Sequence, residues 1–289
     1  MNRRRKYFFI ITCFTILYFI CLDIATKQKN KTVTIPSKIE KKKTPRKSKK
    51  VQPSLKYKYR KYTHVTRFYQ RLALPVTELC VKYKVPPGAV LSILSLESGW
   101  GQGYIGQITG NFLSLNATKS EVELPALQMP KDLITGKTIL DSDQLSKIPE
   151  ANIVWEDRPP SLKKDYRPDS IAGSTKNLDF LLKHPEEMTK ANLQNVSDFV
   201  SRFISKTSSI KAYRQARELL DKTLQKEGIE ALFTDDLNRK FIYTIGGKPN
   251  SFNFRNSWPR KVMSIYRNVG ANKLAKQLYI EHQEFEDVW

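Results

Sequence analysis

The sequence predicts a mainly α (α+β) chain: a helical lobe with a small lobe of loops and short strands, preceded by an N-terminal transmembrane helix and a disordered basic linker. Three observations lead there. Residues 64 to 98 and 170 to 281 place apolar side chains at helical spacing. Residues 111 to 165 are instead punctuated by Pro125, Pro130, Pro149, Pro159 and Pro160 around short β-branched or aromatic pieces such as Asn152-Ile153-Val154-Trp155. Residues 1 to 61 hold one long apolar run and then a lysine-rich stretch. With 289 residues, 40% hydrophobic and 27% charged, the chain has enough material for one sizeable domain plus appendages.

Taken in order, residues 1 to 6 form a basic tail, Asn2-Arg3-Arg4-Arg5-Lys6, and residues 7 to 25 an apolar and aromatic run interrupted only at Asp23. At 1.5 Å per helical residue such a run nearly spans a hydrocarbon core, and its basic flank sets the cytoplasmic side. A cleaved signal peptide is the competing reading, but residues 22 to 26 carry no small-residue cleavage pattern and Ile20 spoils a lipoprotein box before Cys21. The expectation is therefore a single-pass inner-membrane anchor with the rest of the chain in the periplasm. Cys13 and Cys21 fall in the apolar run, leaving Cys80 alone in the domain without a partner for a disulfide.

Residues 26 to 61 are rich in Lys, Thr, Ser and Pro, and hold much of the net charge of +22. Low hydrophobicity and self-repulsion predict a disordered, extended tether. Two uses are open: attraction to anionic head groups or cell-wall carboxylates, at about 1 kcal/mol per basic residue near a charged membrane, or a plain solvated spacer. Nucleic-acid binding conflicts with export and finds no motif.

The domain, residues 62 to 285, opens with a helix from His64 to Tyr83, or a pair broken at Pro75, with Phe68, Leu72, Leu74, Val76, Leu79 and Val81 as candidate core. The stretch from Pro86 to Gly103 then organises the rest. Proline opens it and glycine closes it, so a helix is expected from about Gly88 to Ser98, ending at Gly99. Val90, Ile93, Leu94 and Glu97 lie at i, i+3, i+4 and i+7, which puts one carboxylate on the buried face. A carboxyl among aliphatic neighbours loses hydration and becomes a better proton donor near neutrality; the competing reading is an outward-turned helix-end glutamate. The glycines after it leave room for a ligand, and Trp100 supplies a flat surface of the kind sugars stack on. Two more helices are expected at about 228 to 245 and 258 to 281.

Phe68 through Gly101, and above all Glu97-Ser98-Gly99-Trp100-Gly101, resembles the opening of the bacterial cell-wall endo-β-N-acetylglucosaminidases of the flagellar and autolysin type, and in layout their Bax-like members. Asn111-Phe112-Leu113-Ser114 stands where that family usually has Asn-Leu-Phe-Gly, and residues 165 to 171 are similar to the segment closing its variable lobe. The resemblance covers roughly residues 65 to 280 and is concentrated before residue 185. It implies a lysozyme-like fold acting on peptidoglycan glycan strands, with Glu97 as the acid and sugar contacts at Trp100, Asn111, Phe112 and Tyr166. It also implies a second glutamate on the small lobe. Glu156, in Trp155-Glu156-Asp157, is the nearest match, followed by Asp157, Glu123 and Asp165; the competing reading of Glu156 is a surface acid in a loop. A late tyrosine of the family borders the sugar, and here Trp258 occupies its place, able to stack but without a hydroxyl.

Glycoside hydrolysis generally needs an acid and a second carboxylate, whereas a lytic transglycosylase needs only the acid. Both remain open, as does a non-catalytic peptidoglycan-binding scaffold. No cofactor or metal is expected: His64, His184 and His282 are far apart and lack paired cysteines. No serine sits in a nucleophile elbow and no glycine loop precedes Lys-Ser/Thr, which argues against a zinc amidase, a serine peptidase or a nucleotide hydrolase.

Overall fold

The computed structural model describes residues 56–140, 142–158 and 161–289. The apolar segment 7–25 and the linker up to residue 55 lie outside these residues. Among the described residues no helix is long and apolar enough to cross a membrane.

Helix α1 (Thr63–Lys82) runs unbroken through Pro75. An internal proline costs about 3 kcal/mol, but α1 buries Val65, Phe68, Tyr69, Leu72, Ala73, Val76 and Cys80, and each large apolar side chain returns about 1.5–3 kcal/mol. Tertiary burial therefore outweighs the local break. Leu74 is exposed rather than part of the core, and Leu79 and Val81 are half-buried.

Helix α2 (Pro87–Ser98) is the hub, with Gly99 in the left-handed conformation at its end. Its residues 87 to 95 are buried on every side, more than the single expected face. Such a helix must satisfy its polar side chains internally. Ser92, Ser95 and Ser98 each donate to the carbonyl four residues back, at 2.6–2.7 Å.

The small lobe contains α3 (Tyr104–Thr109), β1 (Glu123–Leu124), β2 (Leu127–Asp132), α4 (Ser142–Leu145), β3 (Ile153–Arg158) and β4 (Ser161–Lys164). It holds two antiparallel pairs, β1 with β4 and β2 with β3, the latter in a register that sets Met129 opposite Glu156. Ile108, Leu124 and Leu127 form a small core of their own. The helical lobe resumes with α5 (Phe180–Lys183) and α6 (Pro185–Asp198), which continues as a π-helical turn over Phe199–Phe203. Then come α7 (Lys211–Glu227), α8 (Asp235–Ile245), α9 (Trp258–Val269), α10 (Ala271–Tyr279) and α11 (Phe285–Val288). Helices α1, α8, α9 and α10 all pack on α2. The expected helix over 258 to 281 is two helices, because Gly270 adopts φ +70° and the ring of Tyr57 fills the space a Cβ would take.

Both boundaries of the domain lie farther out than the sequence reading put them. Arg60, assigned to the linker, is 2% exposed and donates from Nε to the Val269 carbonyl at 2.8 Å and from Nη1 to the Val288 carbonyl. Its guanidinium lies between the rings of Tyr57 and Trp289, 4.3 and 4.6 Å from their centroids. Residues 57 to 60 and 286 to 289 thus belong to the packed domain.

Candidate active site

Glu97 sits in the last turn of α2 and lines a cleft of about 780 Å³ between the two lobes. Its indole partner comes from the other end of the chain: Trp258 Nε1, at the start of α9, donates to Glu97 Oε1 at 2.7 Å. Burial pushes the Glu97 carboxyl above the ordinary carboxylate range; the Trp258 hydrogen bond and the positive charges of Lys163 and Arg255 work against that rise without cancelling it. The carboxyl beside the open cleft therefore holds its proton to higher pH than a solvated one does.

Tyr213 of α7 reaches the same cleft and is nearly buried, its hydroxyl held above its usual range by burial and then by the charge of Glu97. Lys163 of β4, Lys211 of α7 and Arg255 of the α8–α9 loop also line the cleft, where Glu97 is the sole acid among the described residues. The exposed flat surface there is Phe254, 69% accessible, with Phe252 and Phe203 behind it. Sequence reading missed Tyr213, Lys163, Lys211, Arg255 and Phe254. Only the closeness of 250–255 to Trp258 could have pointed to any of them.

The sequence-selected residues divide sharply. Trp258 joins Glu97, but as a hydrogen-bond donor that is 3% exposed, so it offers no open face to a sugar. Trp100 does not reach the cleft. The turn Gly99-Trp100-Gly101 has three successive positive φ angles, +57°, +56° and +80°, which carry the indole away to pack edge-on against Tyr59 and His64. Gly101 makes room for the ring of Phe112, 3.1 Å from where its Cβ would be, rather than for a ligand. Phe112 is core, stacked on Phe68.

Asn111 is buried with its amide fully engaged. It donates to the carbonyls of Leu115 and Lys164 at 2.9 and 2.8 Å, and accepts from Leu115 N and Asn195 Nδ2 at 2.8 and 2.9 Å. It fixes the wall of the cleft and has no capacity left for a sugar. Gly110 before it has φ +71° and lies against Ala191 of α6, where a Cβ would come to 2.4 Å of the neighbouring methyl. Tyr166 is also buried, donating to Asp198 at 2.9 Å within an ion cluster of Lys164, Glu121, Asp198 and Arg202.

Glu156 lies on β3 in an adjoining cleft of about 510 Å³ that shares Ser114 and Lys163 with the first. Its side chain is 54% exposed and paired with Lys131 at 2.8 Å. It is a surface acid on a strand, and it lines a different cleft from Glu97. Asp157 lines the same second cleft, and Glu123 stands exposed on β1. Asp165 is buried in a salt bridge with Arg167 at 2.7 Å, which commits it to structure. Among the described residues no group of three or more His, Cys, Asp or Glu side chains could hold a metal ion.

No family model matches the chain, and no curated protein sequence does. Among solved structures, the chain is similar to the catalytic domain of the autolysin Auto from Listeria monocytogenes. The two share 12% identity at a TM-score of 0.40, over 73% of this chain and 88% of that one.

Proposed function

We propose that this chain is a peptidoglycan-cleaving glycosidase, cutting β-1,4 bonds at N-acetylglucosamine with Glu97 as general acid. The observation that carries the reading is a half-buried carboxyl with a raised pKa opening on a cleft large enough for sugar rings. Glu97 gives its proton to the glycosidic oxygen as the bond to C1 breaks, and that oxygen keeps the bonding electron pair. The positive charge developing on the sugar is then quenched by a nucleophile. For hydrolysis this is water, with Glu156 of the adjoining cleft as candidate base; the Lys211 and Arg255 cations suit a substrate bearing carboxylates.

One observation favours a second reading of the same site. Among the described residues Glu97 is the only acid lining its cleft, and Glu156 is already paired with Lys131. Single-acid chemistry, in which a sugar hydroxyl replaces water and leaves an anhydro-muramyl end, needs no second carboxylate. The basic tail and apolar run support a placement on the inner membrane with the site in the periplasm.

Digestion of purified cell walls by the full chain, followed by product analysis, tests this. New reducing N-acetylglucosamine ends support hydrolysis and anhydro-muramyl ends support transglycosylation. Binding without products, identical for wild type and Glu97→Gln, would leave a scaffold and overturn both.

A further inference from the structure

We infer that Trp258 is the positioning residue of the acid: its indole N–H holds Oε1 of Glu97 as the carbonyl oxygen, so that the transferable proton is carried on Oε2. The inference rests on the proposed reading of Glu97. An indole N–H can only donate. At 2.7 Å it engages Oε1 closely, and a carbonyl oxygen accepts better than a carboxylic hydroxyl, so the bond selects which oxygen bears hydrogen.

The donor itself cannot turn away. A Cβ on Gly246 would lie 2.3 Å from two carbons of the Trp258 ring, so the backbone presses on one part of the indole. Phe252 packs on it at 5.3 Å between centroids and is itself braced edge-on by Phe199. Proline at 259 fixes the start of α9. The charged and titratable groups acting on Glu97 from other elements are Lys163 of β4, Arg255 of the preceding loop and Tyr213 of α7. Beside these charges, the Trp258 indole is hydrogen-bonded to the carboxylate and joins Glu97 to a residue 161 positions away.

The test is made on the full chain with Trp258→Phe, which keeps an aromatic ring and removes the N–H. Turnover on cell walls should fall about 10- to 100-fold with KM nearly unchanged, the scale of one hydrogen bond to the charged carboxylate that Glu97 becomes as it gives up its proton. The alkaline limb of the pH–rate profile should move upward, since the lost donor favoured the carboxylate. A merely structural tryptophan would lower the folded fraction and leave the limb in place. A second measurement needs no tryptophan variant. In 15N-labelled wild type, the Trp258 indole resonance should titrate with the Glu97 carboxyl, and in Glu97→Gln it should stay flat. An indole signal that ignores Glu97 in the wild type overturns the inference even if Trp258→Phe does not fold. A wild type without turnover would sink the proposed function, while the resonance titration would still decide the link between the two residues.

Discussion

Gly246 lies directly beneath the indole of Trp258, close enough that even a methyl group there would overlap the ring, at 2.3 Å from two of its carbons. The φ of Gly246 is −145°, a conformation open to any residue, so Gly246→Ala introduces a clash without backbone strain. Overpacking of this kind costs about 1–3 kcal/mol, and here it is relieved by moving the ring that holds Glu97. The expected result is a modestly lower melting temperature together with a disproportionate loss of turnover, compared at equal folded fraction by circular dichroism and cell-wall digestion.

The raised pKa of Glu97 fixes the sign of a pH effect on stability. Its carboxyl binds a proton more tightly folded than unfolded, so the native state gains from it at low pH. That gain is lost as pH rises from the ordinary carboxylate value through the raised one. Urea titrations across that window should show wild type losing stability relative to Glu97→Gln. Turnover should decline over the same window as the acid form disappears, and Glu97→Gln should have lost about 10²- to 10⁴-fold of it below that window, the gap closing as pH rises through it.

Asp165 and Arg167 form a fully buried pair, with Gly173 N also donating to the carboxylate at 3.0 Å. Removing one partner of such a pair leaves a buried charge unmatched and costs about 3–5 kcal/mol. Asp165→Asn is therefore expected to lower stability by that amount in denaturant melts. It should leave turnover per folded molecule unchanged, which separates a structural acid from a catalytic one.

Glu156→Gln should behave in the opposite way. An exposed ion pair such as that with Lys131 contributes about 0–1 kcal/mol, so melts should barely move. Release of reducing ends should fall if Glu156 prepares the attacking water. Unchanged release removes it from the mechanism.

What was legible in the sequence was what local chemistry dictates. Helix α2 and its stop at Gly99, the strand around residues 153 to 155, the end of α8 at Ile245 and the start of α9 at Trp258 all follow from periodicity, prolines and glycines. The same periodicity put Glu97 on the buried face of α2, and its side chain is half-buried there. Partners were not legible. Asn111 reads as an available amide until its bonds to Lys164 and Asn195, 53 and 84 residues away, consume it. Trp100 reads as an open platform because nothing local announces that Tyr59 and His64 cover it. Tyr213 carries no motif at all, and it enters the cleft only because α7 passes there.

The clamp of Arg60 on Val269 and Val288, closed by the ring of Trp289, has a mechanical meaning. Tension applied at residue 56 meets the ends of α9 and α11 together, through the Arg60 guanidinium and the Tyr59 N–H on the Asn268 carbonyl, before it reaches the amino end of α1. The load is shared between the first and last segments of the domain, and α1 begins only beyond the clamp.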